Sequence, residues 1–153
     1  MIRKAQKEDI PRLIDLLHQV NRVHYQLRPD VFKPNTTKYS KQELEALFNE
    51  DQKPIFVYDD GGVVGYAFCQ IHEVKDDLLL QDNKTLYIDD LCVDESARGK
   101  HVGKALFEFV RQYAQQNGCH AVTLNVWAGN EAAIRFYEQM GMHVQKTGME
   151  IVL

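Results

Sequence analysis

The sequence predicts a single α/β (α+β) domain in which a mixed β-sheet of about six to seven strands is flanked by about four helices on both faces. Its 153 residues are near the commonest size of one domain, and 44% of them are hydrophobic, enough for a sizeable core. Two runs rich in Val, Ile, Phe and Tyr flank residues 59–62, Asp-Asp-Gly-Gly, which indicates an antiparallel hairpin. Helical segments separate the later strands, so the sheet is expected to be mixed and residues 1–153 to form one domain.

The first half of the chain is predicted to hold a short strand and two helices. Residues 2–5 have the character of a strand, and apolar side chains at helical spacing predict a helix over residues 10–20. Two prolines interrupt the residues that follow, so an irregular connection is expected there. A capping box formed by Ser40 and Glu43 predicts the second helix over residues 41–48.

The second half is predicted to alternate strands and helices after the hairpin. The acidic residues 75–84 are typical of a loop, and Gly118 and Gly141 are suited to the ends of helices. The predicted elements are a strand over residues 85–93, a helix over about 101–117, a strand over 120–127, a helix over 130–140 and a strand-like tail to residue 153 with a turn at Gly148.

Composition and charge exclude several classes of protein. A formal charge of −4 argues against a protein that binds nucleic acid through its phosphates. Cys69, Cys92 and Cys119 are odd in number and lie in apolar stretches, so reduced core cysteines are expected, and the six histidines show no metal-ligand spacing. No segment approaches the roughly 20 apolar residues of a membrane span, and the first residues lack the apolar block of a signal peptide. We therefore expect a cytoplasmic protein with no metal site and no nucleic-acid or membrane partner.

A basic, glycine-bearing junction connects the strand over residues 85–93 with the helix that follows. The free backbone N–H groups of a helix N-terminus attract anions, and the basic side chains of Arg98, Lys100 and Lys104 add positive charge. A phosphate or pyrophosphate is the expected ligand. An ordinary strand-to-helix turn with solvated basic residues explains the same pattern equally well.

Two separated motifs resemble those of a known family. The stretch IDDLCVDESARGKHVGKAL, followed some twenty residues later by LNVWAGNEAAIRFYEQMGM, is similar to the GCN5-related N-acetyltransferase (GNAT) superfamily, which transfers an acetyl group from acetyl-CoA to an amine. The family pattern Arg/Gln-x-x-Gly-x-Gly/Ala falls on residues 98–103, with His101 in place of its first glycine. The family's Asn, Tyr and Gly of the last helix fall on Asn130, Tyr137 and Gly141.

The resemblance implies acetyl-CoA as the cofactor and coenzyme A as the product. It implies that the backbone of Leu91, Cys92 and Val93 runs beside the pantetheine arm, and that Asn130 steadies this arm or its loop. It assigns the pyrophosphate to a cradle of backbone amides from Arg98, Gly99, Lys100, His101, Val102, Gly103 and Lys104. We expect binding to tolerate the histidine, provided that its side chain points away in ordinary helical geometry.

An alkylamine is protonated at neutral pH, so acyl transfer to it requires a proton acceptor. Asp89 and Asp90 are the candidates. Because they are consecutive on a predicted strand, we expect them to point to opposite faces, with only one facing the acetyl group directly. Their motif looks like the acid pair of polyamine and diamine acetyltransferases. The alternative is a structural pair that caps loops or binds a neighbouring Lys or Arg.

The resemblance also supplies candidates for the other catalytic roles. Tyr137 matches the tyrosine that protonates the departing thiolate, although its helical spacing also suits a core aromatic. A backbone N–H at a strand bulge near Cys92 or Val93 is expected to stabilise the oxyanion. Cys92 itself is interpreted as a small apolar strand residue, not a nucleophile. Asn125 stands where the branch that acetylates ribosomal protein N-termini carries a catalytic Glu, which disfavours that branch.

The acceptor amine is expected to be bound by the early helices and their loop, together with the two acids. Tyr25, Arg28, Phe32 and Glu73 are the candidate wall residues, and Arg28 could clamp a substrate carboxylate.

The sequence thus favours direct acetyl transfer to a primary amine of a small molecule such as a polyamine, a diamine or an amino-acid-like compound. The alternatives are acetylation of a protein lysine or N-terminus and, from another class, a non-catalytic acyl-CoA sensor domain. A homodimer is possible.

Overall fold

The computed structural model describes all residues from 1 to 153, which form five strands and four helices. In chain order these are β1 (Ile2–Lys4), α1 (Ile10–Leu27), α2 (Lys41–Leu47), β2 (Ile55–Asp59), β3 (Val63–Val74), β4 (Asn83–Val93), α3 (Val102–Gln116), β5 (Ala121–Leu124) and α4 (Glu131–Gln139). Short 3₁₀ turns lie at Lys7–Asp9 and Glu95–Ala97.

One sheet with the order β1-β2-β3-β4-β5 forms the centre of the molecule. The neighbouring strands are antiparallel except for β4 and β5, which are parallel. The mixed sheet and the hairpin at residues 59–62 are therefore confirmed. The turn follows from its glycines, because Gly61 has φ +72° and the Asp59 carboxylate accepts a hydrogen bond from the Gly62 N–H at 3.0 Å.

Two hydrophobic clusters lie on opposite faces of the sheet. The α1–α2 cluster joins buried leucines of α1 and Leu44 of α2 to side chains of the sheet such as Tyr66 and Phe68. The α3–α4 cluster joins Leu106 and other α3 residues to the opposite face, with α4 packed at its margin. Helices therefore cover both faces, as predicted from the sequence.

The first helix is longer than predicted. It continues to Leu27 and ends where Pro29 disfavours helical geometry at the preceding residue, since Arg28 has φ −140° and ψ 73°. The second helix begins with the predicted capping box, because the Ser40 hydroxyl accepts from the Glu43 N–H and the Glu43 carboxylate accepts from the Ser40 N–H.

The prediction of six to seven strands is wrong in number, because residues 142–153 form no strand. The segment has the alternating pattern of a strand, but it pairs with no strand of the sheet. Met142 donates to the Tyr137 carbonyl at the end of α4, and no later residue takes part in a backbone–backbone hydrogen bond. A strand exists only through pairing, so a favourable sequence without an adjacent edge remains irregular.

Candidate active site

A β-bulge in β4 brings the two consecutive acids to one side of the sheet. Phe68 pairs with Asp90 and Cys69 pairs with Ile88, which leaves Asp89 as the extra residue. Ile88 belongs to the α3–α4 cluster whereas Cys92, four residues later, belongs to the α1–α2 cluster, so the face of the strand changes at the bulge. The predictions that the acids point to opposite faces and that the bulge lies near Cys92 or Val93 are both wrong.

Asp90 lies half-buried beside an aromatic hydroxyl. Tyr66, which is fully buried, donates its hydroxyl to the Asp90 Oδ2 at 2.8 Å. Burial raises the pKa of Asp90 from 3.8 to about 6, while the Tyr66 hydroxyl and the charge of Lys38 oppose this rise. A carboxyl with this pKa is mostly ionised at neutral pH and still takes up a proton readily, which suits a general base.

Asp89 is engaged by two residues of the loop before α2. The Lys38 Nζ lies 2.8 Å from the Asp89 Oδ1, and the Tyr39 hydroxyl donates to the Asp89 Oδ2. The Tyr39 ring stacks on Phe68 at 5.4 Å and packs against the α1–α2 cluster. Sequence analysis missed Lys38, Tyr39 and Tyr66, because contacts between distant parts of the chain leave no local pattern.

One edge of β4 is free next to the acids. β5 pairs with β4 only from Thr85 to Ile88, where its partner is Leu124. From Asp90 to Val93, β4 pairs with β3 alone, so the backbone groups on its other side are available to a ligand, whereas the Asp89 carbonyl accepts from the Lys38 Nζ at 3.0 Å. Leu91, Cys92 and Val93, the predicted pantetheine contacts, lie on this free stretch. The predicted strand over residues 120–127 is shorter, and Asn125 donates instead to the Tyr87 hydroxyl at 3.3 Å.

Tyr137 packs at the margin of the α3–α4 cluster, with its ring centroid 6.2 Å from that of Phe107. Burial raises the pKa of Tyr137, and the negative charge of Asp90 raises it further. Its hydroxyl donates to no group of the protein and therefore keeps a proton available. Burial also raises the pKa of the Cys92 thiol to about 12, so Cys92 is a core residue and a poor nucleophile.

The start of α3 presents unpaired backbone donors. No backbone N–H from Gly99 to Lys104 donates to another group of the protein. The side chains of Arg98, Lys100 and Lys104 are exposed around these donors. The sequence predicted such an anion cradle, and the geometry fits a pyrophosphate. His101, however, precedes the helix with φ 62°, so the expected ordinary helical geometry is wrong at this position.

The strand-to-helix junction is anchored to α1 by an ion pair that sequence analysis did not single out. The guanidinium of Arg12 binds the carboxylate of Asp94, which also accepts from the Ser96 N–H at 2.8 Å. These bonds hold the pKa of Asp94 well below its usual range. Asp94 thereby fixes the start of the loop that leads to the cradle.

Two motif residues also have structural contacts. Asn130 caps α4, because its Oδ1 accepts from the Ala133 N–H at 3.3 Å. A methyl group added at Gly103 would meet the Phe136 ring at 3.4 Å and Val93 at 3.5 Å. Gly103 thus allows the last helix to pack closely on α3, in addition to its place in the cradle.

The predicted acceptor residues are only partly brought together. Phe32 stacks on His24 at 5.0 Å and meets Trp127 edge-on at 5.6 Å. Arg28 lies over the same Trp127 ring but already pairs with Asp30 and Glu150, so it could clamp a substrate only by leaving them.

The other two predicted wall residues make no contact with the acids. Tyr25 is exposed, and its hydroxyl forms no hydrogen bond within the protein. Glu73 pairs with Lys75 at 3.2 Å and lies five residues along β3 from Phe68, roughly 17 Å away, so the structure separates it from the acids.

Comparison with known proteins identifies the family. The acetyltransferase (GNAT) family pattern matches residues 17–142, which include residues 17–27 of α1, the acid-bearing strand and the cradle. The chain therefore belongs to the GNAT family, in agreement with the resemblance of its motifs.

Individual relatives agree with this assignment. An uncharacterized N-acetyltransferase of Methanocaldococcus jannaschii is 26% identical over 92% of this chain and 59% of its own length. The spermine/spermidine N(1)-acetyltransferase of Bacillus subtilis is 30% identical over 58% of each chain. The chain thus spans slightly less than three fifths of the length of these relatives. A Bacillus halodurans protein, solved as a mutant, superposes with a TM-score of 0.96 at 30% identity, covering 100% of this chain and 99% of that one.

None of the helices combines the length and the apolar character that a membrane crossing requires.

Proposed function

We propose that this chain is an acetyl-CoA-dependent N-acetyltransferase that transfers the acetyl group directly to a primary amine of a small molecule. The observation that carries the proposal is the position of Asp90. This half-buried carboxyl, with a pKa of about 6, lies on the stretch of β4 that has one free edge. This position supports Asp90 as the proton acceptor of the acetyl transfer.

The residues present fit acetyl-CoA, which when bound supplies an acetyl thioester to the site. The unpaired N–H groups from Gly99 to Lys104 would hold its pyrophosphate, and the exposed Arg98, Lys100 and Lys104 would add positive charge. The free edge of Leu91, Cys92 and Val93 would bind the pantetheine amides, with Asn130 at the start of the adjacent helix.

Asp90 is the stronger candidate for the base. Its Oδ2 accepts one hydrogen bond, from Tyr66, which leaves the carboxylate able to take a proton from the amine directly or through a water. Asp89 is already bound to the Lys38 ammonium and to the Tyr39 hydroxyl. Its position indicates a role in orienting the acceptor and balancing charge.

Tyr137 is the candidate for the acid. Because its pKa is raised by burial and by neighbouring negative charge, the hydroxyl stays protonated at neutral pH and can donate its proton to a departing thiolate.

The substrate class follows from the acids and from a relative. The Lys38 ammonium lies 2.8 Å from the Asp89 Oδ1, which supports the binding of a primary ammonium group beside the acids. The spermine/spermidine acetyltransferase of B. subtilis supports diamines and polyamines as the first compounds to test. The rings of Phe32, which is half-buried, and Trp127, which is exposed, would cover the carbon chain of the acceptor.

The test is steady-state kinetics of acetyl transfer with a panel of diamines, polyamines, amino sugars and amino acids. Asp90→Asn should lower kcat at least about 100-fold, because Asn cannot accept the proton, and the activity of the parent enzyme should rise as pH increases through about 6. The matched control is Asp89→Asn, which should change KM for the amine more than kcat. Equal losses of kcat in both variants would contradict the assignment of Asp90 as the base.

Tyr137→Phe tests the acid separately. We expect kcat to fall roughly 10- to 100-fold with little change in acetyl-CoA affinity measured by calorimetry, because only the hydroxyl is removed. An unchanged rate would remove Tyr137 from the mechanism. Binding of acetyl-CoA without transfer to any amine or peptide lysine would instead favour a sensor domain.

A further inference from the structure

Lys38 directs its side chain toward the two acids of the candidate active site. Its Nζ donates to the Asp89 Oδ1 at 2.8 Å and to the Asp89 carbonyl at 3.0 Å. The positive charge of Lys38 also acts on Asp90, where it opposes the rise in the pKa of that carboxyl. A primary ammonium of the chain itself therefore lies beside the acids, in the position proposed for the ammonium of the acceptor.

The pair formed by Lys38 differs from the other lysine ion pairs of the chain. Lys53 and Lys75 bind acids two or three residues away whose side chains are 47–48% exposed. Lys38 instead binds an acid 51 residues away, and the side chain of that acid, Asp89, is only 10% exposed. An acceptor ammonium can pair with Asp89 only after Lys38 leaves it or loses its charge.

The loop that carries Lys38 is held in place by its neighbours. Thr37 donates its hydroxyl to the Tyr39 carbonyl at 2.8 Å, and Ser40 caps α2. The Tyr39 ring stacks on Phe68 at 5.4 Å. The backbone at Lys38 is thus fixed, while its flexible four-carbon side chain, 46% exposed, is free to change rotamer beside the acids.

We propose that Lys38 is a site of self-acetylation, at which the chain transfers an acetyl group to its own Nζ, and that this modification opens Asp89 to the acceptor. The inference rests on the proposed function, because it uses the same base and the same acetyl donor. An amine tethered beside the base has an effective concentration of roughly millimolar or above, so Lys38 competes well with free amines.

The reaction balances as an acyl transfer. The Lys38 Nζ gives up two protons and forms a bond to the acetyl carbon, while the bond from that carbon to sulfur breaks and its electron pair goes to the sulfur. One proton passes through Asp90 to solvent, and the other replaces the proton that Tyr137 gives to the sulfur. The products are acetyl-lysine and coenzyme A.

Acetylation removes the positive charge of Lys38 and with it the ion pair to Asp89. The Asp89 carboxylate then keeps only the hydrogen bond from the Tyr39 hydroxyl. It becomes available to an acceptor ammonium, so the modified chain should bind a diamine more tightly than the unmodified chain does.

The test is peptide mass spectrometry of the full chain after incubation with acetyl-CoA. Acetyl groups should accumulate on Lys38 at least about 10-fold faster than on Lys53, the matched control, which is 42% exposed and pairs with Glu50 at 3.2 Å. Asp90→Asn should abolish this difference because the proposed base is lost, whereas direct chemical acetylation would continue at both lysines.

A mixing experiment tests whether the reaction occurs within one chain. Isotopically labelled Asp90→Asn protein, mixed with the unlabelled parent, should show no more acetylation at Lys38 than at Lys53. Equal acetylation of the two lysines in the parent, or preferential acetylation of Lys38 in the labelled variant, would overturn the proposal. Turnover of free diamines with Lys38 unmodified would overturn self-acetylation alone, and absence of both reactions would overturn the proposed function as well.

Diamine binding without acetyl-CoA provides a second readout. Calorimetric titration with putrescine should show that Lys38→Gln, the mimic of the acetylated side chain, binds at least about 10-fold more tightly than the parent. Lys38→Arg is the matched control, because it keeps the positive charge and should retain the affinity of the parent. Equal affinities of the two variants for putrescine would overturn the release of Asp89.

Discussion

Asp90 is the residue at which activity and stability oppose each other. Burial raises its pKa to about 6, above the value of 3.8 for an exposed Asp. The folded state therefore binds this proton more tightly than the unfolded state does. The contribution of Asp90 to the free energy of unfolding is fully present below about pH 4 and is lost as the pH rises through about 6, because the ionised carboxylate is less well solvated in the fold.

We expect Asp90→Asn to stabilise the protein while it removes the proposed base. The difference in the free energy of unfolding should be near zero below about pH 4 and should reach roughly 2 kcal/mol above pH 7, allowing for partial exposure. The Asn side chain can still accept the hydrogen bond from Tyr66. Urea unfolding of both proteins across this pH range measures the effect, and a difference that does not vary with pH would contradict it.

The two acids could be predicted from the sequence, but the residues that bind their carboxylates could not. Asp89, Asp90 and Tyr137 are found from motifs, because their spacing along the chain is informative. Their partners are not. Tyr66 lies 24 residues from Asp90, and Lys38 lies 51 residues from Asp89. Only the folded chain therefore shows which of the two acids is bound to a lysine.

At the scale of elements, the start of α3 contains a conformation that is unfavourable for its residue. His101 has φ 62°, a region that costs an L-residue roughly 1–2 kcal/mol. Its side chain is exposed and makes no hydrogen bond that would compensate for this cost.

His101→Gly should therefore raise the free energy of unfolding by about 0.5–1 kcal/mol, the relief of strain less the greater entropy of glycine in the unfolded chain. Thermal unfolding of the variant measures this. The matched control is Gly99→Ala, at φ +80° with nothing within 4 Å of the added methyl, which should lower stability by about 1 kcal/mol through backbone strain alone. If His101→Gly destabilised the protein, the histidine side chain would have to make a contact of its own.

The bulge in β4 is the other element-level feature that sequence patterns do not capture. Strict alternation would place Asp89 and Asp90 on opposite faces. The extra residue at Asp89 breaks the alternation between Ile88 and Cys92 and directs both acids toward partners in or against the α1–α2 cluster. A bulge depends on pairing with the neighbouring strand, and no pattern within β4 alone specifies it.

At the scale of the whole molecule, the Arg12–Asp94 pair connects α1 with the loop that leads to α3. Asp94 is buried at 7% exposure and accepts hydrogen bonds from both the Ser96 N–H and its hydroxyl. Arg12 also donates to the Val63 carbonyl at 2.8 Å, so one guanidinium joins a helix, the sheet and the cradle loop.

Asp94→Asn should lower the free energy of unfolding by about 2–3 kcal/mol at pH 7, because the variant leaves Arg12 without its anion. The folded pKa of Asp94 is depressed, so its contribution is present above about pH 4 and is lost as the pH falls further. Denaturant unfolding of both proteins should show a smaller difference in the free energy of unfolding near pH 3 than at pH 7. Asp15→Asn is the control, since Asp15 is exposed and only 3.9 Å from Arg12, and it should change stability by less than about 0.5 kcal/mol.

The sequence by itself determined the family, the order of most elements, the basic, glycine-bearing turn before α3 and the acid pair, because each of these depends on residues close together in the chain. The tertiary structure alone decided three features: the common orientation of the two acids, the pairing of Asp89 with Lys38 and Tyr39, and the absence of a strand at residues 143–153. All three arise from contacts between distant segments. Strand pairing and burial determine which side of the sheet a carboxylate faces and whether a segment with a strand-like sequence pairs with a neighbouring strand. The local spacing of residues specifies neither.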